Sequence, residues 1–508
     1  MQASIIEWLD ETERKYPEKP ALIDEEGSVS YHAYKQKSLA IARAIIENNT
    51  RGGHKPVAVY LEKSAKMLVA FIGVAYSRNF YSPIDVDMPG VRVEKILETL
   101  QPQIVITTEE LKVSFERYGY EGKYLIYDKI WPRSDDEDFV RPVSNRIIDT
   151  DLLYVLFTSG STGIPKGVGI RHCSVIDYIE WVTDEFHITS EDSFGNQAPF
   201  YFDNSILDIY SSLKTGATLY IIPQHLFAQP VLLLEYIREN NINTIFWVPS
   251  ALIAVAKLRA LRNVDLTGTL KRVLFCGEVM PNKQLNFWRE HLPDVTYSNL
   301  YGPTEITDAC TFYTVDRTFA DDDPLPIGKP MKNTEILVLD DNNKLISPQN
   351  QGVIGEVCVK GTCLAVGYYR NPEKTAQVFV QNPLNSKYEE KIYRTGDLAV
   401  YNEYGELIYV GRKDYQIKHM GYRIELGEIE TAAASFDDIL RCCCLYDHTK
   451  SKIVLFVESD KELTKSDLNM RLANLIPEYM LPGTVKRMPS MPLNANGKID
   501  RKALEEML

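Results

Sequence analysis

The chain lacks any apolar run approaching the roughly 20 residues needed to span a bilayer. Its first twenty residues, MQASIIEWLDETERKYPEKP, carry early acids and no long apolar core, which excludes a secretory signal and makes the cytoplasm the default compartment. Ile5, Ile6 and Leu9 fall instead on one face of an expected helix. Basic charge is scarce: net charge is −14, and no basic face stands out, so nucleic acid is a poor main partner. Eight cysteines are present but form no CxxC pair, which argues against zinc. Cys442, Cys443 and Cys444 are consecutive in a segment that reads as a buried strand. Neighbours on a strand point to opposite faces, so the triplet reads as core packing rather than a shared metal site. There is no internal repeat and no low-complexity tract.

What remains is the composition of a soluble globular protein, 44% hydrophobic and 25% charged. At 508 residues, length alone implies about three compact units. Strand and helix patterns alternate through most of the chain. TLYIIP, INTIFWVPS and LKRVLFCGE read as buried strands between helices, the rhythm of a mostly parallel sheet. After Pro324 the pattern changes to short strands and turns, a β-rich module. The expected fold is therefore α/β: a large N-terminal domain of layered α/β sheets plus a β-rich module, with a small α+β C-terminal domain. The boundary is expected near Gly411–Asp414, giving domains 1–413 and 414–508. The acidic stretches Asp135–Asp138 and Asp321–Asp323 read as exposed loops.

The most informative segment is YVLFTSGSTGIPKGVG, residues 154–169. An apolar strand enters a loop rich in hydroxyls and glycine. Glycines let backbone amides turn toward a phosphate. Thr158, Ser159, Ser161 and Thr162 add donors around Gly160, and Lys166 adds positive charge. The order does not match GxxxxGK[ST], so this is not the ordinary P-loop.

This loop resembles the phosphate-loop signature of adenylate-forming enzymes, which include acyl-CoA synthetases, luciferases and the adenylation domains of nonribosomal peptide synthetases. Further segments follow in that family's order: YFDNS, NLYGPTE, GEVCVKGTCLAVGYY, YRTGDL, GRKDYQIKHMGYRIELGEIE and NGKIDR. GYRIELGEIE and NGKIDR point to the amino-acid-activating branch. Within it the stand-alone look is most similar to D-alanine–carrier protein ligases.

The resemblance implies a two-step ligase reaction. A carboxylate attacks the α-phosphorus of ATP and pyrophosphate leaves; the phosphopantetheine thiol of a separate carrier protein then attacks the adenylate. Bringing an anion to a polyanion requires cations and donors at the transition state. Lys498 matches the family's catalytic lysine, which bridges substrate carboxylate and phosphate. Glu305 matches the ligand of Mg²⁺. Asn299, Leu300 and Tyr301 match the adenine cradle, with Tyr301 stacking, and Gly302, Pro303 and Thr304 belong with them to the expected ATP-binding set. Asp397 matches the ribose-binding carboxylate, and Tyr409 and Arg412 should flank the nucleotide.

Asp203 matches the partner of the substrate α-ammonium; its ordinary alternative is a helix cap. Position by position, the side-chain pocket should also include Asn204, Leu207, Trp247, Leu274, Cys276, Leu300, Asp308 and Ala309, with Trp247 shortening it. Asp308 departs from D-alanine ligases, which are apolar there. Asp414 matches the family's hinge, and the pantetheine arm should enter near Gly421. A CoA ligase of the same superfamily is the alternative reading. The amino acid and its chirality stay open.

Overall fold

The computed structural model describes all residues except 1, 49–51, 161–162 and 494–498. The chain divides into two compact units. The larger takes residues 1–86, 100–156 and 168–411; the smaller takes 87–99, 157–167 and 412–508.

In the larger unit, a nine-stranded sheet is built on short strands with buried side chains on both faces. Its parallel core runs Thr296–Tyr301, Arg272–Phe275, Thr244–Trp247, Ser193–Asn196, Thr218–Ile221 and Pro20–Asp24. Thr244–Trp247 is buried at every position, as a strand covered on both faces must be. Helices return the chain between strands. Pro249–Lys257 starts with proline at its first position, where the missing N–H costs nothing. A second sheet pairs Phe80–Pro83, Pro56–Val59, Ile104–Thr107 and Lys123–Ile126 in parallel. The β-rich segment after Pro324 forms antiparallel pairs among Thr334–Leu339, Gly355–Gly361, Lys391–Tyr401 and Phe379–Gln381.

One expectation is overturned. Asp135–Asp138 is not an exposed loop: a helix begins at Asp136, whose side chain is buried and accepts from the Arg133 N–H at 2.7 Å and from Arg43 at 3.2 Å. Acids in a helix's first turn are stabilised by its positive end, and Arg43 supplies the charge that permits burial. Asp321–Asp323 is exposed and lies outside helices and strands.

The smaller unit opens its C-terminal segment with a hairpin, Gln416–His419 paired to Tyr422–Glu425. Met420 and Gly421 turn it with φ of 53° and 81°, the positive values a two-residue hairpin turn requires. The helix Leu426–Ala434 follows, then a three-stranded sheet of Arg441–Asp447, Lys452–Glu458 and Thr484–Met488. Cys443 and Cys444 lie in different apolar clusters, one with Phe456 and the other with Leu455. All eight thiols are free, and no three metal-ligating side chains gather among the described residues.

Candidate active site

The motif residues of the larger unit follow the carboxyl ends of parallel strands of one sheet, where open α/β sheets bind ligands. Asp203 follows Ser193–Asn196, Cys276 follows Arg272–Phe275, and Glu305 and Asp308 follow Thr296–Tyr301. Sheet order alone therefore collects segments that are far apart in the chain.

On the nucleotide-motif side, the Tyr301 hydroxyl donates to Asp397 at 2.5 Å. Burial and the Asp397 carboxylate push the Tyr301 phenol well above its ordinary range, so it stays a donor. Asp397 is itself fixed by its own N–H donating to Thr395 at 2.9 Å. Tyr409 lies 6.4 Å from Tyr301, ring centre to ring centre. The Asn299 amide donates to the Pro326 carbonyl at 2.8 Å. Glu305 is fully buried and accepts from the Tyr368 hydroxyl at 2.8 Å. Gly302 has to be glycine here: a Cβ would come within 2.5 Å of the Asp308 carbonyl and 2.6 Å of the Ala309 Cα.

On the substrate-motif side, the helix Ser205–Thr215 carries Leu207 and follows directly on Asp203 and Asn204. The Asp203 side chain accepts from the neighbouring Asn204 N–H at 3.0 Å. Leu207, Leu274, Cys276, Leu300 and Ala309 share one apolar cluster. Trp247 does not join them. It packs in a second cluster, edge-on to Phe227, and its indole N–H donates to the Gly195 carbonyl at 2.8 Å. Strand alternation explains the difference. Trp247 is paired with Phe275, whereas Leu274 is paired with Phe246.

Asp308 is buried and accepts from the Tyr178 hydroxyl at 2.8 Å. Burial, then Asp308, then Cys276 and Asp203 raise the Tyr178 phenol well above its ordinary range. Tyr178 thus reports that both carboxylates lie in its electrostatic neighbourhood. Tyr154 feels the same two acids. Nothing in the sequence singles out Tyr178, because an aromatic at helical spacing, here in His172–Glu185, reads as core.

In the smaller unit, the phosphate loop meets the hairpin and helix of the C-terminal segment. The Ser159 hydroxyl donates to the Arg423 carbonyl at 2.8 Å, and Lys166 pairs with Glu425 at 3.2 Å. Lys95 donates to the Gly163 carbonyl at 2.7 Å. Glu428 is buried, pairs with Arg92 and accepts from the Gly160 N–H. Burial raises the Glu428 pKa against the pull of Arg92. The Thr158 hydroxyl is buried with no hydrogen-bond partner among the described residues. Arg412 forks onto Asp414 at 2.6 and 2.9 Å. Burial opposes ionisation of Asp414, but Arg412 outweighs it and holds the carboxyl below the usual value. Glu425 and Glu428 fall within the motif GYRIELGEIE, but nothing in that motif names the cations they meet, and Arg92 lies in none of the quoted motifs. Ser161, Thr162 and Lys498 lie outside the described residues.

A family model described as AMP-binding enzyme matches residues 9–369, and the chain belongs to this family of ATP-using ligases. Among its relatives, it is 33% identical to D-alanine–D-alanyl carrier protein ligase of Listeria monocytogenes, over 99% of each chain. It is 32% identical to zwittermicin A synthase ZmaJ of Bacillus cereus, covering 99% of this chain and 95% of that one. It is also 31% identical to tyrocidine synthase 1 of Brevibacillus parabrevis, of whose length it spans 45%. Among solved structures, IdnL1 superposes with a TM-score of 0.81 at 25% identity, covering 96% of this chain and 99% of that one. A nonribosomal synthetase protein with adenylation and PCP domains shares the fold, with a TM-score of 0.84 at 22% identity over 100% of this chain and 84% of that one. Among the described residues, no helix is long and apolar enough to cross a membrane.

Proposed function

We propose that the chain activates a small amino acid with ATP and passes it to the phosphopantetheine thiol of a separate carrier protein in the cytoplasm. The observation that carries the amino-acid reading is Asp203. It directly precedes the helix that contributes Leu207 and acts electrostatically on the Tyr178 phenol. A carboxylate beside an apolar cluster suits an α-ammonium, which a fatty or aryl acid does not have.

In the first step, a substrate carboxylate oxygen bonds to the α-phosphorus and the bond to pyrophosphate breaks. Tyr301 and Asp397 hold the nucleoside end, with Asp397 accepting from ribose hydroxyls. Thr158, Ser159, Lys166 and the loop amides take the phosphates, and Lys498 neutralises the charge that builds between substrate and phosphate. In the second step, a thiol sulfur bonds to the acyl carbon, AMP leaves with the electron pair, and the thiol proton goes to solvent.

Glu305 is a buried carboxylate oriented by a phenolic donor, the Tyr368 hydroxyl. That fits Mg²⁺, which uses one or two carboxylates and takes its other ligands from phosphate and water. When bound, such an ion offsets phosphate charge. Domains 1–413 and 414–508, with Asp414 as hinge, would let one site serve both steps.

The test is ATP–pyrophosphate exchange with L- and D-amino acids against acyl and aryl acids, followed by intact-mass analysis of a loaded carrier. Exchange driven by acyl or aryl acids alone would replace this reading with a CoA ligase.

A further inference from the structure

Asp208 is a fully buried acid that neither step of the reaction uses. It is the fourth residue of the helix Ser205–Thr215, at the end of the turn that follows Asp203 and Asn204. Its partner is Asn196, the last residue of the strand Ser193–Asn196 and equally buried. Strand alternation sends Asn196 to the same face as Phe194. Phe194 belongs to the apolar cluster that holds Leu207 and Tyr210. Two polar side chains therefore meet inside an apolar layer, where each must be hydrogen-bonded or neutral. The helix starts at Asn204 without a side-chain cap, so this meeting is what ties its first turn to that strand.

The Asn196 amide N–H donates to Asp208 Oδ2 at 3.0 Å. That leaves Asn196 Oδ1 and Asp208 Oδ1, one on each group, both buried and neither reached by a donor among the described residues. The Ser211 hydroxyl, one turn further along the helix, is buried without a partner as well, so it does not serve Asp208. A carboxylate can only accept, and so can an amide oxygen. A protonated Asp208 answers both atoms at once: its O–H donates to the amide oxygen while the amide N–H donates to its carbonyl oxygen. Turning the amide over leads to the same proton, because it sets oxygen against oxygen at 3.0 Å.

The charged group that acts on Asp208 is Lys63. Its Nζ is directed to the Gln197 carbonyl at 2.9 Å and lies over the Phe200 ring, 5.4 Å from the centre; it makes no ion pair among the described residues. Burial draws Lys63 itself down to about 7, and pushes Asp208 up to about 8 against Asn196 and Lys63. We infer that Asp208 is carried as the neutral acid, joined to Asn196 by two hydrogen bonds, and that this pair positions the segment 203–207 on the sheet. Asp208 touches no substrate and is a positioning residue. The kinetic consequence rests on the reading above that this segment binds an amino acid; the protonation state does not.

The experiment compares the full chain with Asp208→Asn, in which an N–H replaces the O–H and both hydrogen bonds are kept. At pH 7 exposed carboxylates are ionised, so the infrared difference spectrum should show a carboxylic-acid carbonyl band in the wild type that the variant lacks. Urea unfolding gives a second reading. Folded Asp208 keeps its proton up to about pH 8, the unfolded residue only to about 3.8. The folded state therefore binds more protons between these values, and wild type should lose stability relative to Asp208→Asn as pH rises from 5 to 8. In ATP–pyrophosphate exchange with the best amino acid of the panel above, the two KM values should agree within about twofold at pH 7. Above pH 8 the wild-type KM should rise ~10-fold over the variant's, the size of one unmet buried hydrogen bond. No acid band, or an Asp208→Asn chain that is less stable at pH 7 or does not fold, overturns the neutral acid and makes Asp208 an ion. KM values that stay equal above pH 8 overturn the positioning role. Exchange with acyl or aryl acids alone removes the amino-acid reading, and the infrared and unfolding results then still decide the protonation state.

Discussion

In the larger unit, the core near the substrate motifs buries phenols and a neutral imidazole. Tyr81 and Tyr210 share a hydrogen bond at 2.8 Å, and burial pushes both well above the ordinary phenol range. Tyr178 does the same for Asp308. His172 is buried, takes the Ile5 N–H on its Nδ1 at 3.4 Å and is held down at about 4. Around the phosphate loop, by contrast, the smaller unit buries ions: Arg92 with Glu428 and Lys166 with Glu425. Neutral groups keep one arrangement over a wide pH range. Ions can exchange one anionic partner for another, and a loop meant for phosphates needs that freedom.

The sharpest way to break this contrast is Glu428→Ala, which strands Arg92 without its carboxylate. A broken buried pair should cost about 3–5 kcal/mol, read as an earlier urea transition of the smaller unit. Replacing both partners with apolar residues, Arg92→Met with Glu428→Leu, should restore most of that. A single variant as stable as wild type would mean that these ions are not buried in solution.

Lys498→Ala comes next. Removing a charge-stabilising donor typically costs 10²–10³ in rate, about 3–4 kcal/mol. Adenylate formation should collapse while the urea transition stays in place. Near-normal exchange would remove Lys498 from the chemistry.

The neutral side of the comparison is probed by acid. His172 binds protons near pH 6.5 when unfolded and only near pH 4 when folded. The unfolded state therefore binds more protons between these values. The stability His172 contributes is present above pH 6.5 and lost as pH falls toward 4, roughly 3 kcal/mol in all. In His172→Gln, stability should depend less on pH across that window. An unchanged slope would show that another group titrates there.

The smallest effect separates the two half-reactions. Asp414→Pro fixes a backbone torsion where a hinge must turn. Thioester formation should fall about tenfold more than adenylation, hinge motion being what the second step adds. Equal losses would place the hinge elsewhere.

The sequence was most readable where chemistry restricts residue type. A phosphate loop needs glycines and hydroxyls in a row, and buried parallel strands need continuous apolar runs. Positions with no such restriction, such as aromatic residues on helices, were opaque: Tyr178 looks like any packed ring until Asp308 is found 130 residues away. Trp247 shows the converse, because a motif position does not reveal which face of a strand it occupies. Asp136 looked solvated because Arg43, its partner, lies 93 residues back. Glu425 and Glu428 belong to the motif GYRIELGEIE, yet the lysine and arginine they meet are contributed by two other stretches of chain.

That last arrangement bears on modularity. The smaller unit is assembled from three separate stretches, and only one of them is C-terminal. A chimera that exchanges residues 412–508 alone would carry Glu425 and Glu428 to a new host and leave Lys166, Ser159 and Arg92 behind. Transplanting this unit between relatives therefore means moving residues 87–99 and 157–167 with it, or matching the donor's carboxylates to the host's cations.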